Sequence, residues 1–153
     1  MRLLRFAPLV FLSSLALVGG CSKGPPMAEV EGVVTLNGKP LDNIQVEFNP
    51  EASGGVRSFG TTDASGRYTL KSDDGKRTGA VVGTHKITLR DNSVIGKLYG
   101  RAGEGKDLSQ GRKSRVSLML GDVTKTPLQK AVNSGKNTIN IEASGAAPVE
   151  GGR

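Results

Sequence analysis

The sequence predicts an all-β chain folded as an antiparallel β-sandwich. Three observations lead there. Apolar and polar residues alternate with period two, the signature of half-buried strands, and not with the 3.6 period of a helix. The alternating runs are short and are separated by turn residues such as Asn37-Gly38 and Asp63-Ala64-Ser65-Gly66. After residue 28 no stretch carries a persuasive amphipathic helical stripe.

Each strand has its own justification. In Glu29–Leu36, Val30, Gly32, Val34 and Leu36 share a face, and Asn37-Gly38 closes the run because both residues tolerate positive φ. In Asn43–Asn49, Ile44, Val46 and Phe48 point one way while Gln45 and Glu47 point the other, and Pro50 with Gly54-Gly55 ends the strand. Val56–Thr62 is weaker, with Phe59 as its expected anchor. Asp63 and Gly66 then form a turn, in which Asp63 accepts backbone N–H groups and Gly66 supplies the positive φ. Arg67–Ser72 returns with Tyr68 and Leu70 inward, and Asp73–Lys76 is loop. Gly83 turns the chain into Gly83–Arg90, where His85, Ile87 and Leu89 share a face. Asn137–Glu142 follows the turn Asn133-Ser134-Gly135 and aligns Ile139 with Ile141.

The expected core is therefore Val30, Val34, Leu36, Ile44, Val46, Phe48, Tyr68, Leu70, Ile87, Leu89, Ile139 and Ile141. Tryptophan is absent and aromatics are 4% of the chain, so this core is aliphatic and modest. At ~1.5–3 kcal/mol per large apolar side chain buried, it suffices for one small domain with little surplus over chain entropy.

Residues 91–125 differ in kind. They are rich in glycine and in basic residues, among them Lys97, Arg101, Lys106, Arg112, Lys113 and Arg115. Most of this long loop, Asp91–Gly111, is expected to be mobile, with a further strand over Ser114–Leu120. Residues 143–153, small and glycine-rich, are expected to be a disordered tail.

The N-terminus has the three parts of an export signal. Arg2 and Arg5 give a positive start, and Phe6–Val18 is an apolar stretch shorter than the ~20 residues that span a bilayer. Leu17-Val18-Gly19-Gly20-Cys21 resembles the lipobox of bacterial lipoproteins. That resemblance implies cleavage before Cys21, diacylation of its sulfur and a third acyl chain on the new amine. The expected organisation is a lipoprotein signal peptide over 1–20, a spacer over 21–28, the sandwich over 29–142 and the tail. Cys21 is the only cysteine, so no intramolecular disulfide forms. Two or more acyl chains anchor a protein stably to membrane lipid. The formal charge is +7, and +5 remains once Arg2 and Arg5 leave with the signal, which favours acidic partners. An exported location and few aromatics argue against nucleic acid. Ser22 after the cysteine favours the outer membrane.

Four landmarks in order carry a second resemblance. The run Glu31-Gly32-Val33-Val34-Thr35-Leu36-Asn37-Gly38-Lys39-Pro40-Leu41 with Ile44-Gln45-Val46-Glu47-Phe48 is the first. Gly60-Thr61-Thr62-Asp63-Ala64-Ser65-Gly66-Arg67-Tyr68-Thr69-Leu70 is the second, and Gly79–Leu89 the third. Thr126-Pro127-Leu128 with Ser134-Gly135-Lys136-Asn137 closes the series. Together they resemble the carboxypeptidase regulatory-like domains of the transthyretin-like (prealbumin-like) group, which implies a seven-stranded sandwich. Val82 and His85 depart from the pattern, standing where proline and an aromatic residue are usual. The roles this assigns to Asn37, Gly38, Asp63, Gly66 and Gly83 are scaffold roles, and a scaffold does not specify a function.

Chemistry is sparse. His85 is the only histidine and lies on an apolar strand face, which suits a residue replacing an aromatic better than a metal ligand or base. Asp63 and Ser65 lack the further carboxylates of a calcium loop. No Gly-x-Ser-x-Gly elbow and no phosphate-binding glycine loop is present. No metal, cofactor or catalytic residue is expected. Related adhesin domains carry a Lys–Asn isopeptide bond promoted by an acid; Lys39, Asn140 and Glu47 are the nearest candidates, but alternation turns Glu47 and Asn140 outward. Arg112, Lys113 and Arg115 are candidates for contact with anionic lipid or acidic glycan, against the plainer reading of a solvated loop. The expected function is that of a non-enzymatic, membrane-anchored envelope lipoprotein acting as a structural or protein-interaction module. The alternative is a binding module for envelope glycan or another acidic polymer; a hydrolase or enzyme accessory ranks below both.

Overall fold

A computed structural model describes residues 24–94 and 113–145. The expected signal peptide, Cys21, Arg112 and most of the long basic loop lie outside the described residues, as does the tail beyond Gly145. The described chain is all-β, with eleven strands in two sheets and two 3-10 turns, Asn92–Val94 and Leu118–Gly121.

The first sheet is organised around β1 (Met27–Leu36), whose inward positions Ala28, Val30, Gly32 and Val34 are all buried. One edge of β1 takes three antiparallel partners: β7 (Ala80–Val81), β5 (Arg67–Thr69) and β2 (Lys39–Pro40). The other edge takes β10 (Lys136–Thr138) and β11 (Ile141–Ala143), both parallel to β1. The second sheet is antiparallel throughout, in the order β6 (Lys71–Ser72), β4 (Ser58–Thr61), β3 (Ile44–Pro50), β8 (Gly83–Asp91), β9 (Gln129–Val132). The sheets share one core, in which Phe48, Ile44, Val46, Ile87 and Leu89 from the second meet Val30, Val34, Tyr68 and Ile141 from the first.

Ten of the twelve residues expected in the core are buried; Leu36 and Ile139 are only partly so and pack against it. Several positions differ from expectation. Phe59 does not anchor its strand: it pairs with Glu47 on the outer face and is 38% exposed, while Ser58, opposite Phe48, points inward. Gly60 is the next inward position, where a Cβ would lie 2.2 Å from the Thr69 carbonyl oxygen, so no side chain fits. The expected strand over Ser114–Leu120 is a single bridge, Val116 to Gly145, followed by a 3-10 turn. Leu120 and Val116 fill the core from irregular backbone. The sandwich also exceeds its expected limits: Met27 and Ala28 pair with Val81 and Ala80, and Ala143 and Gly145 are paired, so the spacer and the tail are each shorter than expected. The expected fully antiparallel arrangement fails at one place, the parallel pairing of β1 with β10 and β11.

The turns follow from their residues. Asn37 and Gly38 take φ of 52° and 73°, and Gly66 takes 72°. Asp63 Oδ1 accepts from the amides of Ser65 and Arg67 at 2.8 and 3.0 Å, fixing the second turn. Gly83, with φ of 136°, turns the corner between β7 and β8 in a conformation that favours glycine.

Candidate functional site

A groove of about 400 Å³ lies on the first sheet. The strand registers build it. Thr69, Glu31 and Thr138 stand side by side on β5, β1 and β10; in the next row Arg67 pairs with Val33. Asn140 completes that row: its Oδ1 accepts the Val33 amide at 3.0 Å, filling the ladder position left where β10 gives way to β11. Thr61 and Asp63 complete the wall. Among the described residues, neither the Arg67 guanidinium nor the Glu31 carboxylate has a salt-bridge partner. The groove therefore offers one cation, Arg67, and two carboxylates, Glu31 and the turn-bound Asp63, together with hydroxyls and an amide, and no exposed aromatic face for stacking. It can hold a polar ligand by hydrogen bonds and charge; its lining contains no histidine, cysteine or lysine.

The floor is fixed from below. Tyr68 is buried, and its hydroxyl donates to the Ile139 carbonyl at 2.6 Å. Burial raises its pKa well above the usual phenolic range. Gly32 lies directly opposite Tyr68, and a Cβ there would meet the Ile139 carbonyl oxygen at 1.9 Å.

Of the candidate basic residues Arg112, Lys113 and Arg115, the last two are described, and Arg115 is not a free cation. Arg115 is committed: Nε and Nη2 bind the Asp91 carboxylate at 2.8 and 2.9 Å, and Nη1 and Nη2 bind Asp42. Asp91 has no exposed side-chain surface. Burial pushes its pKa up, but hydrogen bonds from the Arg115 side chain, from Ser93 and from both backbone amides outweigh that and hold it well below the usual carboxylate range. Lys113 is exposed. Arg112 and Cys21 lie outside the described residues.

The other candidates fall in separate places. His85 is fully buried, with Nε2 2.7 Å from the Val81 carbonyl oxygen and its ring 5.6 Å from that of Phe48. Lys39 pairs with Leu36 on one edge of β1, Asn140 lies at Val33 on the other, and Glu47 belongs to the second sheet, bound to Arg57 at 2.8 Å. The isopeptide constellation is therefore not formed. Among the described residues no three His, Cys, Asp or Glu groups are placed to hold a metal ion, and no helix is long and apolar enough to cross a membrane. The alternation of residues placed Glu31, Arg67 and Thr69 outward, but the groove itself arises from the pairing of β10 with β1, for which alternation carries no signal.

No protein-family model matches the chain, and no curated protein matches it. Among solved structures, the crystal structure of a DUF3823 family protein from Parabacteroides merdae is similar, with a TM-score of 0.42 and 12% identity. The match covers 79% of this chain and 47% of that one, so this chain spans about half its length.

Proposed function

We propose that the protein is a non-enzymatic lipoprotein of the cell envelope, held on the extracytoplasmic side by an acylated Cys21. The outer membrane is the favoured location, and the sandwich, read as a seven-stranded transthyretin-like domain of the carboxypeptidase regulatory-like group, serves as an interaction module. The observation that carries the interaction role is the groove on the first sheet, where Arg67 and Glu31 stand exposed and without salt-bridge partners among the described residues. Charged side chains left unpaired on a rigid sheet add little to folding, and they are suited to an outside partner.

Two measurements test the reading. Mass spectrometry of the mature chain from envelopes should find acyl groups on Cys21, and Cys21→Ala should move the protein to the soluble fraction. Cross-linking in envelopes should then yield a defined adduct that is lost in the Arg67→Ala, Glu31→Gln double variant. An unchanged adduct pattern in that variant would remove the groove from the proposal. A second reading, binding of an envelope glycan, draws on the hydroxyls of Thr61, Thr69 and Thr138 and the Asn140 amide. Co-sedimentation with isolated acidic polysaccharide, weakened by salt and by the same double variant, would favour it.

A further inference from the structure

We infer that the sandwich stands end-on at the lipid surface, with the loops over residues 51–56, 73–79 and 133–135 against the headgroups and the Asp63 turn, Lys113 and Leu118 facing away. The inference rests on the lipid anchor proposed above and on the place where Pro25 and Pro26 are held to the sandwich.

Pro25 and Pro26 are not a free spacer. The Arg77 guanidinium donates to the Pro25 carbonyl at 3.4 Å, the Val82 amide donates to the Pro26 carbonyl at 2.9 Å, and Met27 is already in register with Val81. The chain is thus held to one end of the sandwich from Pro25 onward. Gly24 is its first described residue. Three residue steps separate Gly24 from Cys21, and at ~3.3–3.6 Å per residue they reach at most about 11 Å. An acylated Cys21 must lie at the bilayer interface, so the end bearing Arg77 and Val82 lies close to that reach from it.

The registers identify what shares this end. The loop 73–79 precedes β7, the turn 133–135 joins β9 to β10, and the Glu51 amide donates to the Thr84 carbonyl at 3.0 Å. Arg57, Lys76, Arg77, Lys130 and Lys136 lie here beside Glu29, Glu51, Asp73 and Asp74, with Arg57 bound to Asp73, so one positive charge is left over and the surface only weakly attracts anionic headgroups. The orientation comes from the tether, not from charge. The opposite end lies at the end of β1, where Leu41 donates to the Val34 carbonyl and Asp91 pairs with Ile44. The ten residues of β1 span about 30 Å, several Debye lengths at physiological salt, where one is about 8 Å. Arg115, bound to Asp91 and Asp42, is therefore held away from the headgroups of its own membrane.

The test uses the mature lipoprotein, in which acylation consumes the only native thiol, so that one introduced cysteine takes a fluorescent donor. Lys76→Cys and Ser134→Cys report the near end; Ala64→Cys and Ser144→Cys report the far end. All four positions are exposed. The proteins are reconstituted in phosphatidylethanolamine–phosphatidylglycerol vesicles carrying a headgroup-labelled acceptor. Energy transfer should be several-fold stronger at residues 76 and 134 than at 64 and 144. A Gly-Ser linker of about twenty residues inserted after Ser22, with a root-mean-square reach of roughly 25 Å, should erase most of that difference. Proteins that float with the vesicles but show equal transfer at all four positions, or stronger transfer at the far end, overturn the orientation while leaving the anchor intact. Proteins that do not float overturn the anchor and the orientation together.

Discussion

Asp91 has no exposed side-chain surface, yet its carboxylate stays charged because it accepts five hydrogen bonds, three from Arg115 and two from Ser93. Asp91→Asn removes the charge and leaves the guanidinium facing a weaker acceptor. Hydrogen bonds to charged groups contribute about 1.5–3 kcal/mol, so urea unfolding at pH 7 should show a loss of roughly 2 kcal/mol. The pH dependence has a definite sign. The folded-state pKa lies below the unfolded value of about 3.9. The contribution is therefore complete above about pH 5 and is lost as pH falls through the carboxylate range toward the folded-state value. The gap between wild type and Asp91→Asn should close across that acid window; a constant gap down to about pH 2 would contradict the assignment. Arg67 and Glu31 give the opposite expectation. Both are exposed, so Arg67→Ala and Glu31→Gln should each shift stability by no more than about 0.5 kcal/mol in the same assay. The two kinds of arginine were not distinguishable in the sequence. Arg115 sits in a run of basic residues, and its acidic partners lie 24 and 73 residues earlier in the chain, beyond any local pattern.

Strands with a clean period of two were legible element by element: β1, β3 and β8 bury the faces that alternation assigns to them, including His85. The elements that alternation missed follow other physics. Arg67–Ser72 reads as one strand, but Tyr68 pairs with Gly32 in the first sheet and Lys71 with Phe59 in the second, so the chain crosses between sheets and the strand is interrupted at Leu70. Ala80–Val81 is too short to show a period, and its partner is the very start of β1. Leu120 is buried by a 3-10 turn that no two-residue period describes. The most demanding position within an element is Gly32. Its inward face is occupied by the Ile139 carbonyl and the Tyr68 ring, and a Cβ would lie 1.9 Å from that oxygen. Gly32→Ala must displace β1 from the last strand or push the Tyr68 hydroxyl off its acceptor. Overpacking of this kind costs about 3 kcal/mol or more, read as a drop in the thermal midpoint. Tyr68→Phe, which loses only the hydroxyl, should cost about 1 kcal/mol. Equal losses for the two variants would mean that the backbone at residue 139 moves freely, contrary to the packing described.

At the scale of the molecule, the sandwich is closed by a pairing between its beginning and its end. β10 and β11 hold a single register on β1 across their interruption, with Glu29 opposite Lys136 and Leu36 opposite Ala143. The sequence showed two good strands at 29–36 and 137–142, but period-two alternation specifies faces and not partners, so neither the parallel pairing nor the groove it creates could be read from it. This closure makes the C-terminal segment a condition for the whole fold. Ending the chain after Gly135 would remove the buried side chains of Asn137, Ile141 and Ala143. It would also remove the Tyr68 acceptor and every parallel ladder bond along that edge of β1. The loss of Ile141 packing alone is worth about 2–5 kcal/mol. Exposing one edge of β1 adds unpaired backbone groups, and a domain of this size holds only about 5–15 kcal/mol in all. The truncated chain should therefore show no cooperative thermal transition by circular dichroism. A synthetic peptide covering residues 134–145 should restore one, since it carries the missing strands and the Glu142 carboxylate that accepts the Gly38 amide at 3.1 Å across the first turn. Cooperative melting of the truncated chain without the peptide would show that the five-stranded second sheet and the antiparallel edge of β1 suffice, and that the terminal strands only decorate a fold already complete.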